Sequence, residues 1–192
     1  MGLPREPMNH CQTAGIYRLD VLNTDCDMEA VRAGLMEHRQ GRICLYGASG
    51  TGKTAFGRHI AMSMDRPLMV RRASDIVSMW LGQTERNMAR MFRAASEDGA
   101  VLLLDEADSF LQDRQGAQRS WEISAVNEML TQMESFEGVF IASTNLMQCL
   151  DTAALRRFDL KIRFDYLKPQ QAWILFLDTA ENLGIQCCEV RP

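Results

Sequence analysis

The chain has 192 residues, 46% of them hydrophobic and 24% charged, with a net charge of −4. This is a globular composition, which excludes a disordered or fibrous chain, and at this length one domain with room for a small subdomain folds without a disulfide or metal. The acidic balance argues against a protein that coats nucleic acid; no apolar run is long enough for a membrane span, and the N-terminus lacks the apolar core of a signal peptide.

In chain order, residues 1–18 are mixed in character, include two prolines and are expected to form a flexible lead-in. Residues 26–38 set Met28, Val31, Leu35 and Met36 at helical spacing, with Asp25 or Asp27 as the cap. ICLYG at 43–47 is a short apolar run closed by glycine, a buried strand. Residues 54–64 read as helix and 67–72, PLMVRR, as strand. From Thr84 a helix places Met88, Met91, Phe92 and Ala95 on one face. AVLLLDE at 100–106 reads as a central parallel strand whose acidic C-terminal end is exposed. Residues 119–134 form a helix with Ile123, Val126, Leu130 and Met133 inward, and strands follow at 138–144 and 160–164. Pro169 suits the first turn of a last helix. Along it Trp173, Phe176, Leu177, Ala180 and Leu183 make one apolar stripe over 169–183. Few residues remain to cover that stripe, so either the chain is cut short or the helix packs back on the sheet. Strand–helix alternation predicts an α/β protein with a parallel sheet covered on both faces.

The loop after the first strand, GASGTGKT at 47–54, matches G-x-x-x-x-G-K-S/T, with a strand before it and a helix after it. Gly47, Gly50 and Gly52 let the backbone of Gly47, Ala48, Ser49, Gly50, Thr51, Gly52, Lys53 and Thr54 wrap a phosphate chain. The wrapped N–H groups and the helix N-terminus supply positive potential. Lys53 then reaches the β- and γ-phosphates of ATP, and Thr54 offers its hydroxyl to Mg²⁺. In VLLLDEAD at 101–108, Asp105 at the strand end is a magnesium ligand through water, and Glu106 is a general base for the attacking water. Asp108 reads as a helix cap. Asn145, closing the strand that ends ASTN, can bond both the γ-phosphate and that water. Arg156 and Arg157, just ahead of the last strand, carry the planar fork suited to phosphate. Trp80, Leu81 and Gly82, between two helical stretches, are either a local core plug or an exposed gripping loop. Cys11, Cys26, Cys44, Cys149, Cys187 and Cys188 form no C-x-x-C pair and no zinc pattern, and read as reduced thiols of a cytoplasmic enzyme.

The order GASGTGKT, SMWLGQTERNM, LLLDEAD, VNEMLTQME, STN, LRRFD resembles the AAA+ ATPase family, in particular its ATP-dependent unfoldases and membrane-linked proteases. The resemblance covers about residues 20–180. It implies a P-loop three-layer sandwich with a five-stranded parallel sheet in the order 5-1-4-3-2. The division it implies is a large nucleotide-binding domain at 19–167 and the truncated start of a helical lid at 168–192. Ring hexamers of the full-length protein are implied, with ATP held between subunits; this chain alone is expected to be a monomer or that ring. By the resemblance, Arg157 is the finger that reaches a neighbour's γ-phosphate and Arg156 an accessory. Related sequences carry two further residues between the arginines, and here the two are adjacent, which leaves the choice between them open. Trp80 and Leu81 become a pore loop that presses on a threaded polypeptide, with Gly82 as its pivot. The implied function is Mg-ATP hydrolysis driving the remodelling, unfolding or threading of protein substrates. The alternative is an ATP-switched factor that assembles or loads nucleic-acid complexes, a reading the acidic charge disfavours.

Overall fold

The computed structural model describes residues 17–77, 82–109, 111 and 120–185, with the backbone alone at 109 and 120–123. Five strands, β1 (Gly41–Gly47), β2 (Leu68–Arg72), β3 (Val101–Asp105), β4 (Val139–Thr144) and β5 (Leu160–Phe164), make one sheet. Every neighbouring pair is parallel and the order is β2-β3-β4-β1-β5. This is the anticipated 5-1-4-3-2 arrangement read from the other edge. The register pairs Tyr46 with Thr144, Leu104 with Ala142 and Arg72 with Asp105. The C-terminal ends of β1, β3 and β4 therefore share one edge of the sheet.

The helices are α1 (Met28–His38), α2 (Lys53–Ser63), α3 (Ala73–Ile76), α4 (Gln83–Glu97), α5 (Ser120–Ser135), α6 (Thr152–Arg157) and α7 (Pro169–Asn182). Side chains alternate across a strand, so each central strand feeds two cores. Cys44, Leu102, Leu104, Phe140 and Ala142 pack with Met88 and Phe92 of α4 and Met129 and Met133 of α5. Ile43, Leu45, Val101, Leu103 and Ile141 pack on the other face with Phe56 and Ile60 of α2 and Met28 and Leu35 of α1. Each fully buried leucine or phenylalanine contributes about 1.5–3 kcal/mol, and apolar burial on both sides makes the three layers. Burial also pushes the Cys44 thiol up to about 12, leaving it an inert core residue.

The inward faces expected for α4 and for Val126, Leu130 and Met133 of α5 are buried; the side chain of Ile123 lies outside the described residues. In α1, Asp27 is the cap, accepting from the N–H groups of Glu29 and Ala30 at 2.9 and 3.3 Å. Asp25 instead accepts from the backbone N–H of Arg163 at 2.8 Å, and Thr24 bridges Phe164. Residues 23–25 thus cover the outer edge of β5, which would otherwise present unpaired backbone groups. Met36 is 40% exposed, against the sequence reading. The buried stripe runs through Met28 and Leu35, and Met36 sits one residue, about 100°, further around the helix. Helices α3 and α6 have four and six residues, too short to show a hydrophobic period.

Pro169 opens α7 as expected. Its apolar stripe is not covered: Phe176 is 52% exposed and Leu183 68%, with Leu177 also exposed and Ala180 buried. Among the described residues the helix rests mainly against a 3₁₀ turn at Leu19–Val21, more than on the sheet layer that one reading proposed. Two polar contacts tie it there and a third holds Tyr166 just ahead of it. Arg18 pairs with Asp178 at 2.7 Å, Gln171 donates to the Leu22 carbonyl at 3.1 Å, and Asn23 donates to the Tyr166 carbonyl at 2.7 Å. Trp173 stacks on Phe176. Among the described residues no helix is long and apolar enough to cross a membrane.

The exit from β1 is a tight point of the fold. Gly47 has φ +138°, and a Cβ there would sit 1.9 Å from the Phe164 carbonyl oxygen of the adjacent strand. Gly47→Ala is expected to destabilise the chain by about 2–5 kcal/mol through backbone strain and overpacking, read by urea denaturation.

Candidate functional site

Three segments converge on the C-terminal edge of the sheet: the loop 47–54, the turn after β3, and the end of β4. Lys53, first residue of α2, is 7% exposed. Its ammonium donates to the carbonyls of Gly47 at 2.8 Å and Ala48 at 2.7 Å, and to Asn145 Oδ1 at 2.9 Å. Burial pulls its pKa below that of an ordinary lysine, and the nearby Asp105 carboxylate opposes that shift. Thr51 closes the loop on itself, its hydroxyl donating to the Ala48 carbonyl at 2.8 Å. Ser49 and Gly50 are exposed at the tip of the loop. The Tyr17 hydroxyl donates to the Gly52 carbonyl at 3.1 Å, which pins the base of the loop to the segment that precedes α1.

Thr54 donates its hydroxyl to Asp105 Oδ2 at 3.1 Å. The other oxygen of Asp105 accepts from the Ser143 hydroxyl and, at 3.1 Å, from the backbone N–H of Glu106. Asp105 is half-buried while Glu106 beside it is exposed, so one acid is fixed and the other is free to meet solvent. Glu106 also has φ +58°, a left-handed backbone uncommon outside glycine. Such outliers cluster at functional positions, where surrounding structure holds them. Asn145, one residue past β4, is exposed apart from its bond to Lys53.

Arg156 and Arg157 end α6, where the chain turns into the N-terminal end of β5. That is the edge of the sheet opposite the loop 47–54, so the structure does not bring them to Lys53 of their own chain. Arg157 is held: its Nε lies 2.6 Å from a Glu134 carboxylate oxygen, off the line of a hydrogen bond, and its Nη1 donates to the Ala153 carbonyl at 2.9 Å. Arg156 is exposed. The same edge carries a groove lined by Gly34, His38, Arg42, Glu134 and Asp159, distant from the convergent loops. Trp80 and Leu81 lie outside the described residues. Gly82 precedes α4 with φ +74°, a conformation that glycine adopts without strain.

Two residues that the sequence reading passed over belong to this site. Ser143 and Thr144 are polar and 1% exposed in a strand buried along its whole length. Buried hydroxyls in an otherwise apolar strand need partners, and that mismatch is the signal that marks them. Asp108 lies in the 3₁₀ turn Ala107–Ser109 and accepts from the Thr144 hydroxyl at 2.8 Å.

Residues 43–166 match the ATPase family associated with various cellular activities (AAA). The chain belongs to the AAA family. It is 32% identical over 134 residues to vacuolar protein sorting-associated protein 4 of Dictyostelium discoideum, an alignment that takes in 67% of this chain and 30% of that protein. It is 34% identical over 133 residues to the ATP-dependent zinc metalloprotease FtsH of Marinobacter nauticus, covering 64% of this chain and 21% of that one. The AAA chain thus spans less than a third of the length of these curated relatives. In fold it is similar to a chain of the HORMA:CdnC:Trip13 complex of E. coli MS115-1, with a TM-score of 0.64 and 21% identity over 82% of this chain and 59% of that one.

Asp105 receives hydroxyls from two separate elements, and removing Ser143 leaves its Oδ1 with the Glu106 N–H alone. Ser143→Ala is expected to cost about 1.5–3 kcal/mol in urea denaturation, the range for a hydrogen bond to a charged group.

Proposed function

We propose that this AAA chain binds and hydrolyses Mg-ATP, and that as part of a ring it uses the energy to remodel, unfold or thread protein substrates in the cytoplasm. One observation carries the reading: Lys53, Thr54, Asp105 and Asn145, from three separate segments, are joined by direct hydrogen bonds at one edge of the sheet.

The donor set fits the ligand. The Lys53 ammonium is buried and its three bonds go to neutral oxygens, so its charge is available to an anion. Thr54 and Asp105 are hard oxygen donors of the kind magnesium prefers. They would hold that ion, which supplies charge neutralisation on the phosphates when bound.

The chain's own residues then divide the work. Backbone N–H groups of 47–54 and the α2 N-terminus bind the phosphates of ATP. Lys53 gives up its loop carbonyls for the β- and γ-phosphates. Glu106, exposed and next to the fixed Asp105, takes the proton from the attacking water as general base. Asn145 orients that water and the γ-phosphate. The domain division at about residues 19–167 and 168–192 is part of the same proposal, α7 being the first lid helix.

Arg156 and Arg157 lie at the far edge of their own sheet, which supports action on a neighbour's ATP and hence a ring of copies. Arg157 must leave Glu134 to do so, whereas Arg156 is already exposed. Trp80 and Leu81, with Gly82 as pivot, are assigned to the pore loop. Apolar grip of this kind tolerates any passing sequence, because it rests on surface burial and not on directed hydrogen bonds.

Glu106→Gln is expected to bind a fluorescent ATP analogue with wild-type affinity and to lower turnover by about 10²–10⁴-fold, the usual worth of a general base; wild-type turnover in this variant would refute the chemistry. Trp80→Ala is expected to keep ATP binding and basal turnover while losing the stimulation of turnover by unfolded polypeptide. Stimulation of the wild-type chain by DNA and not by unfolded protein would replace threading with the loading of nucleic-acid complexes.

A further inference from the structure

The Thr144 hydroxyl makes two bonds at once. It donates to Asp108 Oδ1 at 2.8 Å and accepts from the backbone N–H of Leu146 at 3.0 Å. Asn145 lies between Thr144 and Leu146, the two residues that the second of these bonds ties together. Thr144 is 1% exposed, so its hydroxyl has no water to fall back on, and Asp108 is half-buried. A charge-assisted bond of this kind is about twice as strong as a neutral one. Asp108 sits two residues past Glu106, in the turn Ala107–Ser109. A further link crosses the same gap, from the Asp151 N–H to the Leu111 carbonyl at 2.6 Å. The turn that presents Glu106 and the turn that presents Asn145 are therefore braced against each other.

We infer that Asp108 and Thr144 are positioning residues for the hydrolytic reaction, acting as a pair that fixes Asn145 relative to Glu106. Neither reaches the loop 47–54: Asp108 bonds to Thr144, and Thr144 bonds to Asp108 and Leu146. Their effect passes through the backbone of residues 144–146. This rests on the reading that the chain hydrolyses ATP. A displacement of about 1 Å in a reacting group can cost on the order of 100-fold in rate, so the brace matters to turnover more than to binding.

The experiment uses the full chain with Asp108→Ala, Asp108→Asn, Thr144→Val, Thr144→Ser and the double variant Asp108→Ala/Thr144→Val. Three quantities are read: affinity for a fluorescent ATP analogue, kcat and KM of ATP hydrolysis, and the side-chain amide resonances of Asn145 in the nucleotide-free protein. Asp108→Ala and Thr144→Val are expected to lower kcat by about 10- to 100-fold, with affinity and KM within about threefold of wild type. Asp108→Asn keeps an acceptor oxygen and Thr144→Ser keeps the hydroxyl, and both are expected to restore most of kcat. The double variant is expected to be no slower than the worse single one, as for two residues acting through one bond. The Asn145 amide resonances should shift in Asp108→Ala and stay near their wild-type positions in Asp108→Asn. Wild-type kcat in Asp108→Ala, multiplicative losses in the double variant, or unmoved Asn145 resonances would each overturn the inference. Absence of turnover in the wild-type chain would overturn the proposed hydrolysis, and the resonances alone then decide whether the brace holds Asn145.

Discussion

A buried ammonium organises this molecule. Lys53 belongs to α2 and Asn145 follows β4, yet they meet at hydrogen-bonding distance, with the carbonyls of Gly47 and Ala48 completing the shell. That cluster can form only if β1 and β4 are neighbours and end in step, which the pairing of Tyr46 with Thr144 ensures. A cation taken out of water demands compensation. The loop supplies it with carbonyl dipoles and the sheet supplies it with Asn145. The polar network thus depends on strand register, and the register depends on apolar faces that a one-residue slip would turn outward.

The same dependence explains why the polar residues of the site lie where the strands stop. Within the central strands β1, β3 and β4, side chains are largely consumed by the two cores. At the C-terminal edge the chain leaves the sheet, and its polar groups can face one another. Asp105 shows the transition: it is the last residue of β3, half-buried, bonded to Thr54 from one element and Ser143 from another. Glu106 follows with a left-handed backbone that turns it away from this network. Adjacent acids of one sequence motif thereby acquire different surroundings.

Much of this was legible in the residues. The strand at 160–164 and the inward face of α4 follow from pattern alone, because apolar period and burial are tightly linked over a long element. Strand order is different: alternation predicts parallel pairing, and the family resemblance supplied the sequence 5-1-4-3-2. The chain hid what depends on distant partners. Met36 has the right spacing for a core position, but which flank of a short helix turns inward is set by what it meets. The α7 stripe is as apolar as any core face, and no local property says that Phe176 and Leu183 remain open. Nothing near Asp108 in the sequence announces its partner Thr144, which is brought beside it from 36 residues away. The chemistry of the loop 47–54 was readable because the residues that wrap a phosphate are contiguous, although Lys53 and Thr54 also meet Asn145 and Asp105 from far along the chain, whereas Ser143 and Thr144 stood out only as hydroxyls where hydrocarbon belonged.

Tyr17, Arg18 and Leu22 form a short belt: Tyr17 hangs on the Gly52 carbonyl, Arg18 on Asp178, and the Leu22 carbonyl on Gln171. The terminal helix and the loop 47–54 are thereby joined through residues 17–22 by contacts made outside the sheet.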